Sequence, residues 1–135
     1  KAEKIIFELI RTSLNKDCTI DDEVLKFADW NEMINIASAH GLSAIAFDGL
    51  EKALDSNPER RNEIQKTLLL QWYGLCVHQT ALFKKKWKAA CSLSSLWGKH
   101  GIEAVVLKGR SIAQYYPIPE HRYSCDLDLF VAGDD

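Results

Sequence analysis

The chain has 135 residues, 47% hydrophobic and 27% charged, with a net charge of −2. That length suits one ordinary core, and the composition is that of a globular rather than a disordered or fibrous protein. No apolar run approaches the roughly 18 residues of a membrane helix and no signal-peptide pattern opens the chain, so a cytoplasmic protein without a membrane partner is expected.

Cys18, Cys76, Cys91 and Cys125 have no Cys-x-x-Cys spacing, which argues against structural zinc and for reduced thiols. Up to residue 100 the pattern is helical. Ile5, Ile6, Leu9, Ile10 and Leu14 recur at helical spacing and predict a helix from Ala2 to about Asn15. Thr19 and Asp21-Asp22 offer caps for a short second helix ending near Ala28. Asp29 is the expected N-cap of a third, with Glu32 at the capping-box position and Gly41 at its end. A fourth runs from Leu42 to Leu54 through Gly49. Ser56-Asn57-Pro58 starts another, with Pro58 at the first helical position. From there to Lys99 only Gly74 interrupts, which predicts a helix of up to about 40 residues with a kink or break inside it, ended by Gly98 to Gly101.

Ile102 to Leu107, introduced by Gly101, is an apolar, β-branched run that reads as a buried strand. It leads into Lys108-Gly109-Arg110-Ser111, and Ser111 to Tyr116 reads as a short helix stopped by Pro117 and Pro119. A glycine between strand and helix lets backbone N–H groups approach a ligand, and the start of a helix adds donors that suit phosphate. Lys108, Arg110 and Arg122 add full positive charges. Then comes Cys125-Asp126-Leu127-Asp128-Leu129-Phe130-Val131, expected as a second strand. Alternation would put Asp126 and Asp128 on one face, with Leu127, Leu129 and Val131 toward a core and Cys125 also inward. Two carboxylates roughly 6–7 Å apart repel, and a hard divalent cation held by oxygen ligands offsets the repulsion. The alternative is a sheet edge whose aspartates face water and guard against edge pairing. Taken together, the order of strand, turn, helix, basic loop and acidic strand suits a polyphosphate-plus-magnesium site.

Leu107-Lys108-Gly109, Tyr115-Tyr116-Pro117, Arg122 and Asp126-Leu127-Asp128-Leu129 resemble the polymerase-β-like nucleotidyltransferase superfamily, and most closely its branch of uncharacterised bacterial nucleotidyltransferases. The resemblance covers residues 101–131. It implies an α+β fold, with a mostly helical N-terminal region over 1–100 and a partial nucleotidyltransferase core over 101–135 holding the opening strand-turn-helix-strand of the sheet. It implies transfer of a nucleoside monophosphate from a nucleoside triphosphate, ATP foremost, to an unidentified acceptor, with Mg²⁺ or Mn²⁺. By resemblance, Asp126 and Asp128 are the catalytic metal ligands and Gly109 is the phosphate-turn glycine. Lys108, Ser111 and Arg122 are the further nucleotide contacts. Two features depart from the superfamily pattern. Arg110 follows Gly109 where Gly-Ser or Gly-Gly is usual, so Ser111 comes one residue late. The chain also runs from Lys1 to Asp135, four residues past the acidic strand. On this reading it is a truncated piece that lacks the third carboxylate, for which Asp134 and Asp135 do not substitute.

Charge is uneven: −5 over residues 1–55, +6 over 56–100 and −3 over 101–135. Lys84-Lys85-Lys86-Trp87-Lys88 reads as a solvated helix face, as a hold on the acceptor, or as a nucleic-acid contact with a stacking aromatic, nucleic acid being the less favoured partner. Trp87 is expected to pack inward near Phe83 and Cys91. His121, beside Arg122 in the loop before the aspartates, offers a phosphate or acceptor contact as its less favoured reading; His40 and His100 read as helix-end residues and His78 as structural. Trp72, Tyr73, Trp97, Tyr115 and Tyr116 are expected in the core. Two strands alone are marginal, so helices cover them or a second copy pairs with them in a homodimer. From a different class, the alternative function is a non-catalytic helical interaction module with a structural nucleotidyltransferase remnant.

Overall fold

Ile5, Ile6 and Leu9 bury one stripe of α1 (Ala2–Leu14); two of the helices that follow begin on the expected caps and a third on the expected proline. In the computed structural model, which describes residues 1–132, α2 (Asp22–Lys26) and α3 (Trp30–Ala39) each open on a carboxylate. Asp21 accepts the Glu23 N–H and Asp29 the Glu32 N–H, both at 3.0 Å. Gly41, at φ +68°, closes α3: Leu42 N–H donates to the Ala37 carbonyl and Gly41 N–H to that of Ser38. Next come α4 (Ser43–Ser56) and α5 (Pro58–Glu63), the latter with Pro58 in its first turn. The long helical stretch breaks once, at Ile64, whose extended backbone (φ −88°, ψ 130°) turns its side chain into the core. α6 (Lys66–Gly98) then runs 33 residues, straight through Gly74. It closes as α3 does, with Gly101 at φ +73° and the Ile102 N–H on the Trp97 carbonyl.

Two compact units result, Lys1–His78 and Gln79–Asp135, and α6 contributes to both. In the first, α1, α3 and α4 pack around fully buried Leu9, Met33, Ala37, Ala44 and Leu50. Trp72 closes this core, and its indole N–H donates to the Ser43 carbonyl at 2.8 Å. α1 and α4 meet backbone to backbone at Gly49, where an added Cβ would stand 1.9 Å from the Leu9 carbonyl oxygen. One turn on, the Lys52 ammonium reaches the carbonyls of Thr12, Asn15, Lys16 and Cys18 at 2.9–3.1 Å and caps the end of α1. Arg60 forks the Asp22 carboxylate, also pairs with Glu63, and holds the Asp22 carboxyl below the usual carboxylate range.

Burial among these helices pushes the Cys76 thiol up to about 12. Only the thiolate reacts with alkylating agents. Iodoacetamide at pH 8 is therefore expected to label exposed Cys91 in the native protein and to reach Cys76 only after denaturation, as read by peptide mass spectrometry.

The second unit holds the sheet. β1 (Glu103–Leu107) and β2 (Asp128–Ala132) pair antiparallel from Glu103↔Ala132 to Leu107↔Asp128. Between them lie the single turn α7 (Arg110–Ala113), with Ala113 fully buried, and a 3₁₀ turn over Pro119–His121. The architecture is α+β and mostly helical, as expected. The strands differ from expectation in their burial. Ala104 and Val106 are half covered, but Val105, Leu107 and Phe130 share the opposite face and are 56%, 44% and 57% exposed. No layer covers that face among the described residues, and Val131 also stands exposed rather than in a core. Of the aromatics expected inside, Trp72 is buried and Trp97 and Tyr116 are half-buried, while Tyr73 and Tyr115 are exposed. Among the described residues no helix is long and apolar enough to cross a membrane.

Candidate nucleotide site

The ladder ends at Leu107 because the next two residues leave strand geometry. Lys108 takes φ +48°, alone in this among the described non-glycine residues, and Gly109 takes φ +39°, ψ −103°. Glycine adopts such a conformation without strain, but lysine does not. The Ser111 backbone N–H and hydroxyl both donate to the Lys108 carbonyl, at 2.8 and 2.7 Å, and close the turn. α7 starts at Arg110 and ends at Ala113, shorter than the helix expected over Ser111 to Tyr116. One helical turn supplies little of the dipole field that the sequence led one to expect here.

Across from this turn lies the loop from Arg122 to Leu127. Gln79 of α6, itself buried, donates to the His121 carbonyl at 2.7 Å. The Lys86 ammonium donates to the carbonyls of Ser124 and Cys125, the latter at 2.8 Å, and the Ser124 hydroxyl donates to the Asp126 carbonyl at 2.8 Å. Carbonyls that a longer strand would place in the ladder are thus held by side chains. β2 therefore begins only at Asp128, and Asp126 stands in the loop before it. This corrects the expectation of two aspartates alternating along one strand. Asp128 caps the ladder opposite Leu107, its carboxylate 3.4 Å from the Lys108 ammonium. Cys125 is exposed rather than inward, and its hydrogen bond to the Asp126 carboxylate pushes the thiol up.

Gly109, Arg122 and Asp126 line one cleft of about 60 Å³, together with Lys86 and Arg110. Lys108 and Asp128 form their ion pair at the strand end, and Ser111 braces the turn. An added Cβ on Gly109 would press on the Ser124 hydroxyl at 3.1 Å. Sequence reasoning put Trp87 beside Phe83 and named the charge on Arg110. It missed that both rings face the cleft and that Gln79 and Lys86 hold its loop. A legible signal existed: Gln79, Phe83, Lys86 and Trp87 lie at i, i+4, i+7 and i+8, a single helix face that mixes polar with aromatic residues.

Asp126 and Asp128 present hard oxygen donors, and the Lys108 ammonium on Asp128 shows that carboxylate accepting a cation. Two carboxylates suit magnesium, which keeps several waters and takes its remaining oxygens from bound phosphates. Among the described residues no three His, Cys, Asp or Glu side chains gather, and Asp134 and Asp135 lie outside them.

Residues 26–135 match the family described as uncharacterised nucleotidyltransferase. No curated protein and no solved structure matches the chain. The family match starts at the end of α2, so it takes in α3 to α6 as well as the turn and both aspartates. It thereby reaches far upstream of the 101–131 stretch that carries the motif resemblance. From its helices through its sheet, the chain belongs to the uncharacterised nucleotidyltransferase family.

Proposed function

We propose that this chain carries the nucleotide site of a metal-dependent nucleotidyltransferase that moves a nucleoside monophosphate from a nucleoside triphosphate, ATP first among them, to an acceptor. The observation that supports this most is the turn at Lys108 and Gly109. Two successive residues at positive φ, one of them a strained lysine, pack against the loop that carries Asp126. Such strain persists where surrounding structure holds it, and it concentrates at ligand clamps.

In this reading Gly109 lets triphosphate oxygens approach the backbone, while Lys108 and Arg122 hold their charge. Asp126 and Asp128 hold Mg²⁺ or Mn²⁺. The bound metal supplies Lewis-acid polarisation of the phosphate under attack. Lys108, three-quarters exposed, would be free to turn from Asp128 to the triphosphate if that carboxylate held the cation. Ser111 contributes by fixing the Lys108 carbonyl, and with it the turn. The exposed apolar face of Val105, Leu107 and Phe130 favours a second reading, a module whose strands bind a partner.

Thermal melting with Mg²⁺ and each of the four common nucleoside triphosphates tests the proposal. Ligand at 100 times its Kd is expected to stabilise the native protein by about 2.7 kcal/mol. Gly109→Val cannot hold the turn without strain and is expected to lose that gain while keeping its helical circular dichroism. No shift with any nucleotide would overturn the nucleotidyltransferase reading of this site and leave the binding module.

A further inference from the structure

Arg110 is the residue by which this chain departs from the glycine or serine usual after the turn glycine, and its side chain has a defined place. The guanidinium carbon lies 4.5 Å from the centre of the Trp87 ring and 4.9 Å from that of Phe83. The two rings are four residues apart on α6, so they form one aromatic surface a single turn long. A guanidinium held over aromatic faces is oriented without using its five N–H donors. Among the described residues the Arg110 guanidinium makes no ion pair and no hydrogen bond. It lines the cleft with Arg122, Lys86 and Asp126, while Phe83, Trp87 and Leu127 supply apolar wall. Apolar walls lower the local dielectric and strengthen charge recognition.

The cleft is large enough for an anion. About 60 Å³ gives space for a few water molecules, enough to seat one tetrahedral oxyanion beside the guanidinium.

We propose that Arg110, clamped by Trp87 and Phe83, is an anion fork that receives a single phosphoryl group in this cleft. The fork thus does by bidentate charge what a turn hydroxyl would do by one neutral hydrogen bond. Trp87 and Phe83 are positioning residues, because they act on the ligand through Arg110. The inference rests on the nucleotide reading above and deepens it. The phosphoryl group belongs either to the triphosphate or to a phosphorylated acceptor.

Isothermal titration without metal separates these sources, with inorganic tripolyphosphate as one probe and glycerol 3-phosphate as the other. Arg110→Gln is expected to weaken the probe that uses the fork about tenfold or more. Arg110→Lys keeps the charge but loses the fork and is expected to recover only part of that affinity. Trp87→Leu keeps Arg110 but loosens it, and a drop of about threefold is expected for the same probe. A loss confined to tripolyphosphate assigns the fork to the nucleotide; a loss confined to glycerol 3-phosphate assigns it to the acceptor. Unchanged affinity for both probes in Arg110→Gln overturns the fork, as does full rescue by lysine. If Mg²⁺-nucleotide stabilisation persists in Arg110→Gln with unchanged probe affinity, the fork alone has failed. If no nucleotide stabilises even the unmodified chain, the underlying reading has failed with it.

Discussion

Replacing Gly49 with alanine is expected to cost about 3 kcal/mol or more, and to lower the melting temperature of the Lys1–His78 unit by about 10 °C or more. An added Cβ would stand 1.9 Å from the Leu9 carbonyl oxygen and 2.6 Å from its carbon. The clash is with backbone, so no side-chain rotation relieves it. Relief requires moving α1 off α4, which opens the layer built on Leu9 and Leu50 and pulls the α1 carbonyls from the Lys52 ammonium. Gly74→Ala is the matched control. Nothing lies within 4 Å of its added Cβ, and alanine there is expected to stabilise by about 0.5–1 kcal/mol through helix propensity. Thermal circular dichroism reads both. A Gly49→Ala protein melting within about 2 °C of the parent would mean that the two helices do not touch as described.

The second large effect is chemical. Changing Asp126 and Asp128 together to asparagine is expected to abolish Mg²⁺-dependent nucleotide stabilisation and to cut any transfer activity by about 10³-fold or more, since metal stabilisation of the reacting phosphate is worth several kcal/mol. Stability should barely move. Asp126 sits in an exposed loop, and the Lys108–Asp128 pair is solvent-exposed on both sides, so its loss is worth well under about 1 kcal/mol. That separation gives the experiment its force, because unchanged melting without ligand excludes misfolding as the cause. A double variant that still gains stability from Mg²⁺-nucleotide to the parent's extent would remove both aspartates from the metal role.

Helix starts were legible because caps are local. Asp21, Asp29 and Pro58 each act within three residues of themselves, and each stands where expected. The break at Ile64 was foreseen as a break but not located, since burial of one isoleucine sets it and no capping residue marks it. The start of β2 was not legible, because it depends on the Lys86 ammonium taking carbonyls 38 and 39 residues away. The same distance hid the Lys52 cap, which reaches back 34 to 40 residues. Alternation alone also overstated strand burial. It assigns faces correctly but says nothing of whether a layer covers them, and the Val105, Leu107 and Phe130 face has none among the described residues. In the cleft, Gly109, Arg122 and Asp126 came from local motif spacing, whereas the stack under Arg110 came from a helix some 25 residues earlier in the chain.

The face of α6 that holds the cleft has a consequence for which length changes the chain tolerates. Gln79 fixes one end of the loop before Asp126 and Lys86 the other, seven residues apart on the same helix. Inserting or deleting one residue between them turns one anchor about 100° away from the other and shifts it by about 1.5 Å along the axis. Both ends of the loop cannot then be held at once. Seven added residues make nearly two whole turns and restore the facing but move the anchors about 10 Å further apart, to about 21 Å, beyond what the loop spans. In this helix the spacing is therefore as constrained as the residues themselves, whereas among the described residues no α6 side chain hydrogen-bonds the connection over residues 114–118, which is expected to tolerate lengthening better.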